Sequence, residues 1–203
     1  VYPPLEALRL IVSWAATTGT ERREVMINDV RRAYFYAKAT RDIYIEIPEK
    51  DRKPGDENKL AKLNLCLYGT RDAALNWQET LSEHLIGIGF RRGKGHPSVF
   101  EHPVRGIKVL VHGDDYVSAG TPRDLGWLET ELEKAYEIKT TRMGLSEGRA
   151  REGTVLNRII RCNPGGWELE ADPRHAELII EQMGLRGAKG VTTPGTDTAE
   201  EDE

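Results

Sequence analysis

Ile107-Lys108-Val109-Leu110-Val111-His112-Gly113-Asp114-Asp115-Tyr116-Val117-Ser118-Ala119 is the passage that decides how this chain folds. Two apolar runs flank a four-residue break, and Gly113 within the break permits a tight bend. The pattern predicts a hairpin with Asp114 and Asp115 at its tip. On the N-terminal side, Val99-Phe100-Glu101-His102 is a further strand, joined through a Pro-Val-Arg-Gly turn. On the C-terminal side, Thr121-Pro122 opens a helix running to about Tyr136, with Leu125, Leu128, Leu132 and Ala135 inward.

The flanking regions extend this alternation. Pro3-Pro4 followed by Leu5, Leu8, Ile11, Val12 and Ala15 predicts an amphipathic helix ending near Gly19. Val25-Met26-Ile27 is a short apolar strand that runs into Asn28-Asp29. Ile43, Ile45 and Ile47 alternate with polar residues, and Leu60 to Leu67 is strand-like, with the polar loop Lys50–Asn58 between them. Asp72 to Ile88 is a helix with Leu75, Leu81 and Leu85 on its apolar face and Gly89 at its end. Downstream, Thr154–Arg161 and Trp167–Ala171 form a strand pair turned at Asn163-Pro164-Gly165-Gly166. Asp172-Pro173 then caps a helix reaching Met183-Gly184. Strands and helices interleave without a βαβ rhythm, so the expected class is α+β.

The chain has 203 residues and a formal charge of −4, which conceals an uneven distribution. Asp197 to Glu203 carries five acids and no base, and residues 21–112 hold 17 Lys/Arg against 13 Asp/Glu. The acidic end reads as a solvated tail or linker, and the basic middle gives only weak support for a polyanionic partner. No apolar run approaches the length of a membrane span. The start shows no secretory signal and no Met, so the chain reads as part of something longer. Cys66 and Cys162 are far apart, without zinc-type companions, and read as reduced thiols of an intracellular protein.

Three carboxylates fall where strands end: Asp29, Asp114 and Asp115. Singly, each is an ordinary turn residue. Together they form the oxygen-rich set that suits hard divalent cations, which use one or two carboxylates plus substrate phosphates. Two such ions can hold the attacking and leaving oxygens of an in-line phosphoryl transfer.

Four blocks, in order, resemble the reverse transcriptases of copia-type LTR retrotransposons. They are Asn28-Asp29-Val30-Arg31-Arg32-Ala33-Tyr34-Phe35-Tyr36 with Ile43–Pro48; Lys62 to Trp77, containing Leu67-Tyr68-Gly69-Thr70-Arg71; Gly89-Phe90 through His96-Pro97-Ser98-Val99-Phe100; and Val109 to Val117 around Gly113-Asp114-Asp115. Thr192-Thr193-Pro194 is similar to the segment leading toward a ribonuclease H domain. The resemblance spans roughly residues 2–195.

It implies a right-hand polymerase palm, a mostly antiparallel sheet packed on helices, with partial fingers and the start of a thumb or connection. Fingers and palm would occupy about 1–140, the thumb-like part 141–195 and the tail 196–203. The implied activity is RNA-directed DNA polymerisation: transfer of nucleotides from dNTPs onto a primer 3′-hydroxyl with two Mg²⁺ ions, or Mn²⁺ in their place. Asp29, Asp114 and Asp115 become metal-binding carboxylates, Asp29 and Asp114 directly, and the Val30 carbonyl a further ligand. Tyr34 matches the gate beneath the incoming sugar, its competing reading being a core tyrosine. Gly69 lies beside the nascent base pair. Arg71 is the cation for phosphate there, or else a solvated helix-start arginine. Val155–Arg161 resembles the hairpin that steadies the primer end, and Lys139 is a candidate proton donor to pyrophosphate, or a surface lysine.

The implied partners are an RNA or DNA template with primer, dNTPs, and the ribonuclease H and integrase regions of the same polyprotein, with no membrane. The implied setting is the cytoplasm, in virus-like particles, and the nucleus. His112 and Gly113 depart from the family pattern, which usually has an aromatic and then Val or Met. Cys66 stands for a Ser and Ala74 for a Pro, and the upstream finger strands are missing. A palm-fold relic or nucleic-acid-binding module without turnover therefore stands as the alternative. A metal-dependent phosphohydrolase is a third reading.

Overall fold

The computed structural model describes residues 5–17, 21–170 and 173–190. Its first elements are helix α1 (Leu5–Ala16), strand β1 (Glu24–Val30), a 3₁₀ turn (Ala33–Tyr36), β2 (Tyr44–Glu46) and β3 (Leu60–Lys62). Helix α2 (Ala73–Gly87) leads into β4 (Arg91–Arg92), β5 (Val99–His102), β6 (Ile107–His112) and β7 (Asp115–Gly120). Then follow α3 (Pro122–Glu133), β8 (Ile138–Met143), β9 (Glu152–Val155), β10 (Arg158–Asn163), β11 (Gly166–Glu170) and α4 (Pro173–Gln182). The chain divides into two compact units, Val1–Glu170 and Ala171–Glu203, and α4 belongs to the second. The Pro3-Pro4 start, Gly19, Asp172, Thr192–Pro194 and the acidic tail lie outside the described residues.

The first unit is organised by a six-stranded sheet in the order β4-β5-β6-β7-β1-β8, with every adjacent pair antiparallel. This is the α+β arrangement expected from the sequence. Strand alternation sorts the sheet's side chains into two cores. Met26, Val30, Val109, Val111 and Tyr116 pack with α2 and α3 through Trp77, Leu81, Leu85, Leu125, Leu128 and Leu132. Val25, Leu110, Val117 and Ala119 pack on the other side with α1 and the smaller sheet β11-β10-β9, through Leu8, Ile11, Val12, Val155 and Ile160. A two-stranded ribbon, β2-β3, completes the unit.

Local chemistry explains most boundaries. Thr121 caps α3, its hydroxyl accepting the Asp124 N–H at 3.3 Å, and Pro122 occupies the first turn. Some expectations need correction. Leu75 is 58% exposed and lies off the apolar face of α2, which Trp77, Leu81 and Leu85 form instead. The Leu60–Leu67 strand stops at Lys62, leaving only an isolated bridge at Leu65. The helix after Thr121 ends at Glu133, short of Tyr136. Thr154–Arg161 is not one strand but parts of β9 and β10, which pair across a turn at Leu156 and Asn157, both left-handed at φ 51° and 56°.

Candidate active site

The predicted hairpin forms, and it is tight. His112 pairs with Asp115, leaving Gly113 and Asp114 as a two-residue loop. Gly113 has φ +62°, and Asp114 is not left-handed, which is the pattern of a turn that requires glycine at its first central position. On the far side of β7, Asp115 is the register partner of Asp29 on β1. Asp29 in turn is the partner of Lys139 on β8. Residues directly opposite in antiparallel strands emerge on one face, so His112, Asp115, Asp29 and Lys139 make a transverse row across four strands. Asp114 stands beside the row, in the turn that links His112 to Asp115, where its carbonyl accepts the Val30 N–H at 3.0 Å.

The electrostatics of the row are set by its acids. Burial, then the charges of Asp114 and Asp29, push the Asp115 carboxyl up to about 6. Burial also lowers the proton affinity of His112, opposed by Asp114. Among the described residues no lysine or arginine forms an ion pair with Asp29, Asp114 or Asp115. Nor, among those residues, do three or more His, Cys, Asp or Glu side chains converge into a group that could hold a metal ion by themselves. Two or three carboxylates without an ion pair are the oxygen donors that suit a hard divalent cation completing its shell with substrate oxygens.

A cleft of about 320 Å³ opens beside the turn, lined by Tyr34, Ala74, Trp77, Gln78, Ser98, Val111, His112, Gly113 and Asp114. Tyr34 reaches it because Arg32 adopts a left-handed conformation (φ 55°), which turns the chain out of β1 into the 3₁₀ segment. Its half-buried ring lies 4.4 Å from that of Tyr68, tilted by 34°. Tyr68 is presented by a turn in which Thr70 N–H bonds to Leu67 carbonyl and Gly69 takes φ +88°. Gly69 itself does not line the cleft. Arg71 is exposed at the start of α2 and does not line the cleft.

The structure therefore brings Asp29 and Asp115 into register and ties Val30 to Asp114 through the backbone, while Tyr34 shares the cleft with Asp114 and Arg71 stands apart. It also brings in residues that carried no role in the sequence. Gln78 and Ser98 line the cleft. The Trp77 indole N–H donates to the Gly113 carbonyl at 2.8 Å. A buried tryptophan needs an acceptor, which signals that a bond exists but not with which group.

Comparison with known proteins adds the following. A family model described as reverse transcriptase (RNA-dependent DNA polymerase) matches residues 2–196. The retrovirus-related Pol polyprotein from transposon TNT 1-94 of Nicotiana tabacum is 24% identical over 94% of this chain and 14% of its own length. The transposon Ty1-ER2 Gag-Pol polyprotein of Saccharomyces cerevisiae is 31% identical over 77% of this chain and 10% of its own. The chain thus spans a small part of these relatives. Apo telomerase from Candida tropicalis matches in structure with TM-score 0.51 and 11% identity, covering 83% of this chain and 36% of that one. At that identity the likeness concerns the fold alone.

Proposed function

Because this chain belongs to the reverse transcriptase family, in the branch of copia-type Pol polyproteins, we propose that it extends a primer on an RNA or DNA template, using dNTPs. The family implies dependence on a divalent cation; the finer reading is two Mg²⁺ ions, with Mn²⁺ as a substitute. The observation that carries it is the row of Asp29 and Asp115 with Asp114 in the adjoining glycine turn. Bound cations supply positive charge against the substrate phosphates and lower the repulsion among these acids.

The rest is done by the chain itself. Asp29 and Asp114 would hold the ions directly and the Val30 carbonyl would assist, while Asp115 fills the row between β6 and β1. Catalysis of this type is mainly positioning and charge neutralisation of the primer 3′-hydroxyl against the α-phosphate. Tyr34 walls the cleft next to Asp114 and is the surface against which the incoming sugar packs. Lys139, the register partner of Asp29, would be the candidate proton donor to the departing pyrophosphate, its competing reading being a surface lysine. The ribonuclease H and integrase regions of the same polyprotein are its natural partners, and the cytoplasmic particle and the nucleus its working sites.

The test is primer extension on an RNA template with dNTPs, in Mg²⁺ and in EDTA. Cation-dependent extension is expected. Template–primer binding without extension under any divalent cation would replace this reading with that of a binding module.

A further inference from the structure

Asp114 sits in a two-residue loop opened by a glycine, the most conformationally permissive residue. Such a loop at a hairpin tip ordinarily turns its backbone carbonyls to water. Here both carbonyls are held by the protein. The Val30 N–H, on β1, donates to the Asp114 carbonyl at 3.0 Å. The Trp77 indole N–H, on α2, donates to the Gly113 carbonyl at 2.8 Å. These carbonyls belong to the peptide planes on either side of the Asp114 Cα, so together the two bonds fix the direction in which the carboxylate leaves the backbone.

Trp77 is built to hold its side of that arrangement. It is fully buried. Its ring meets Tyr136 edge-on at 5.2 Å and lies 6.3 Å from Tyr36, which leaves it little rotational freedom. The preceding residue, Asn76, anchors the same turn of α2 by donating to the Lys38 carbonyl at 3.2 Å and the Thr40 hydroxyl at 3.1 Å. One helical turn therefore grips the segment beyond Tyr34 and the turn carrying Asp114.

Resting on the polymerase reading above, we propose that Trp77 is a positioning residue: its N–H restrains the Gly113–Asp114 peptide and so aims the Asp114 carboxylate at its cation. A tryptophan that only fills the core would act on stability and leave turnover per folded molecule unchanged. The discriminating variants are Trp77→Phe, which keeps an aromatic ring, and site-specific replacement of Trp77 by benzothienylalanine, which keeps the indole's shape but lacks the donor. In full-length chain, kcat for primer extension is expected to fall about 10- to 100-fold in both, the scale of a reacting group displaced by about 1 Å. The KM for dNTP is expected to stay near wild type, and the Mg²⁺ concentration for half-maximal rate to rise.

A second readout is independent of turnover. Thermal midpoints of the wild type and the isostere are expected to agree in EDTA, while Mg²⁺ raises the isostere's midpoint less. An isostere with wild-type kcat and a wild-type Mg²⁺ shift would overturn the proposal. So would loss of activity in Trp77→Phe only in proportion to unfolded protein, with the isostere unaffected. If the wild-type chain extends no primer, the polymerase reading fails by itself, and the Mg²⁺-dependent midpoints alone decide the role of Trp77.

Discussion

At one end of β1 the Glu24 carboxylate is buried and met by Arg142 and Arg149, each at 2.9 Å. At the other end Asp29 stands beside Asp115 with Asp114 in the next turn, and among the described residues none of the three forms an ion pair. The same strand thus carries acids that are neutralised and acids that are not. Burial dictates the first case: an unpaired carboxylate at Glu24 would cost several kcal/mol. Arg142 extends the anchor by donating to the Pro122 carbonyl at 2.6 Å, which ties β8 to the start of α3. The second case stores repulsion at the sheet's end, where charge from outside relieves it. The lesson is that one end of β1 is anchored to the fold by paired charge, whereas the other end is left for the ligand of the proposed function.

Mutations at the two ends should therefore separate activity from stability. Asp114→Asn is expected to lower cation-dependent extension about 10³-fold or more, the upper range for losing one preorganised electrostatic group. Template–primer affinity should change little, because phosphate contacts come from basic side chains elsewhere. Equal losses in extension kinetics and in binding titrations would mean that Asp114 supports the fold. Glu24→Ala should do the reverse. It removes the acid that joins Arg149 to Arg142, which keeps Glu129 at 3.7 Å and the Pro122 carbonyl, and denaturant unfolding is expected to show a loss of about 3 kcal/mol, the lower end for breaking a buried pair. Turnover per folded molecule should persist.

How far this contrast was legible in the sequence depends on the residue. The hairpin around Gly113 could be read directly, because glycine between two apolar runs announces a turn. That Asp29 meets Asp115 could not, since register between distant strands leaves no local mark; only the resemblance to a family brought them together. Glu24 and its arginines were invisible for the same reason, being separated by more than a hundred residues. The turn at Leu156 and Asn157 was missed because it lacks glycine. Leu156 tolerates φ 51° while packing against the α1 core, so packing overrode the local preference. Leu75 was misplaced by one helical face because α2 turns toward the sheet through Trp77.

Tyr34 offers an intermediate effect on the ligand-serving end. It lines the cleft with Asp114, and its ring lies 4.4 Å from that of Tyr68, which limits its movement. Tyr34→Val is expected to raise ribonucleotide incorporation relative to deoxynucleotide by about 10- to 100-fold, the discrimination available to one shape contact against an added hydroxyl. Competition between dNTP and rNTP in single-nucleotide extension measures the ratio. An unchanged ratio in a folded, active variant would return Tyr34 to the role of a core tyrosine.

The smallest effect concerns Asp115, and it tests the idea of stored repulsion without any substrate. Its carboxyl is pushed from the ordinary 3.8 up to about 6, first by burial, then by Asp114 and Asp29. The folded state therefore holds this proton more tightly than the unfolded chain. Below about pH 4 both states are protonated and the site costs nothing. As pH rises, the unfolded chain releases its proton first, so folding stability declines until about pH 6 and is then constant. At face value the shift corresponds to about 3 kcal/mol. Because the side chain is only half-buried, solvent screening reduces the expected loss to about 1 kcal/mol. In EDTA, urea unfolding of wild type and Asp115→Asn should diverge across that window, the variant gaining relative stability as pH rises. Adding Mg²⁺ at pH 7 should narrow the gap, because a cation at the row favours the ionised carboxylate. Parallel pH profiles in EDTA would show that the row carries no stored repulsion, and the contrast with Glu24 would then reduce to a difference in burial.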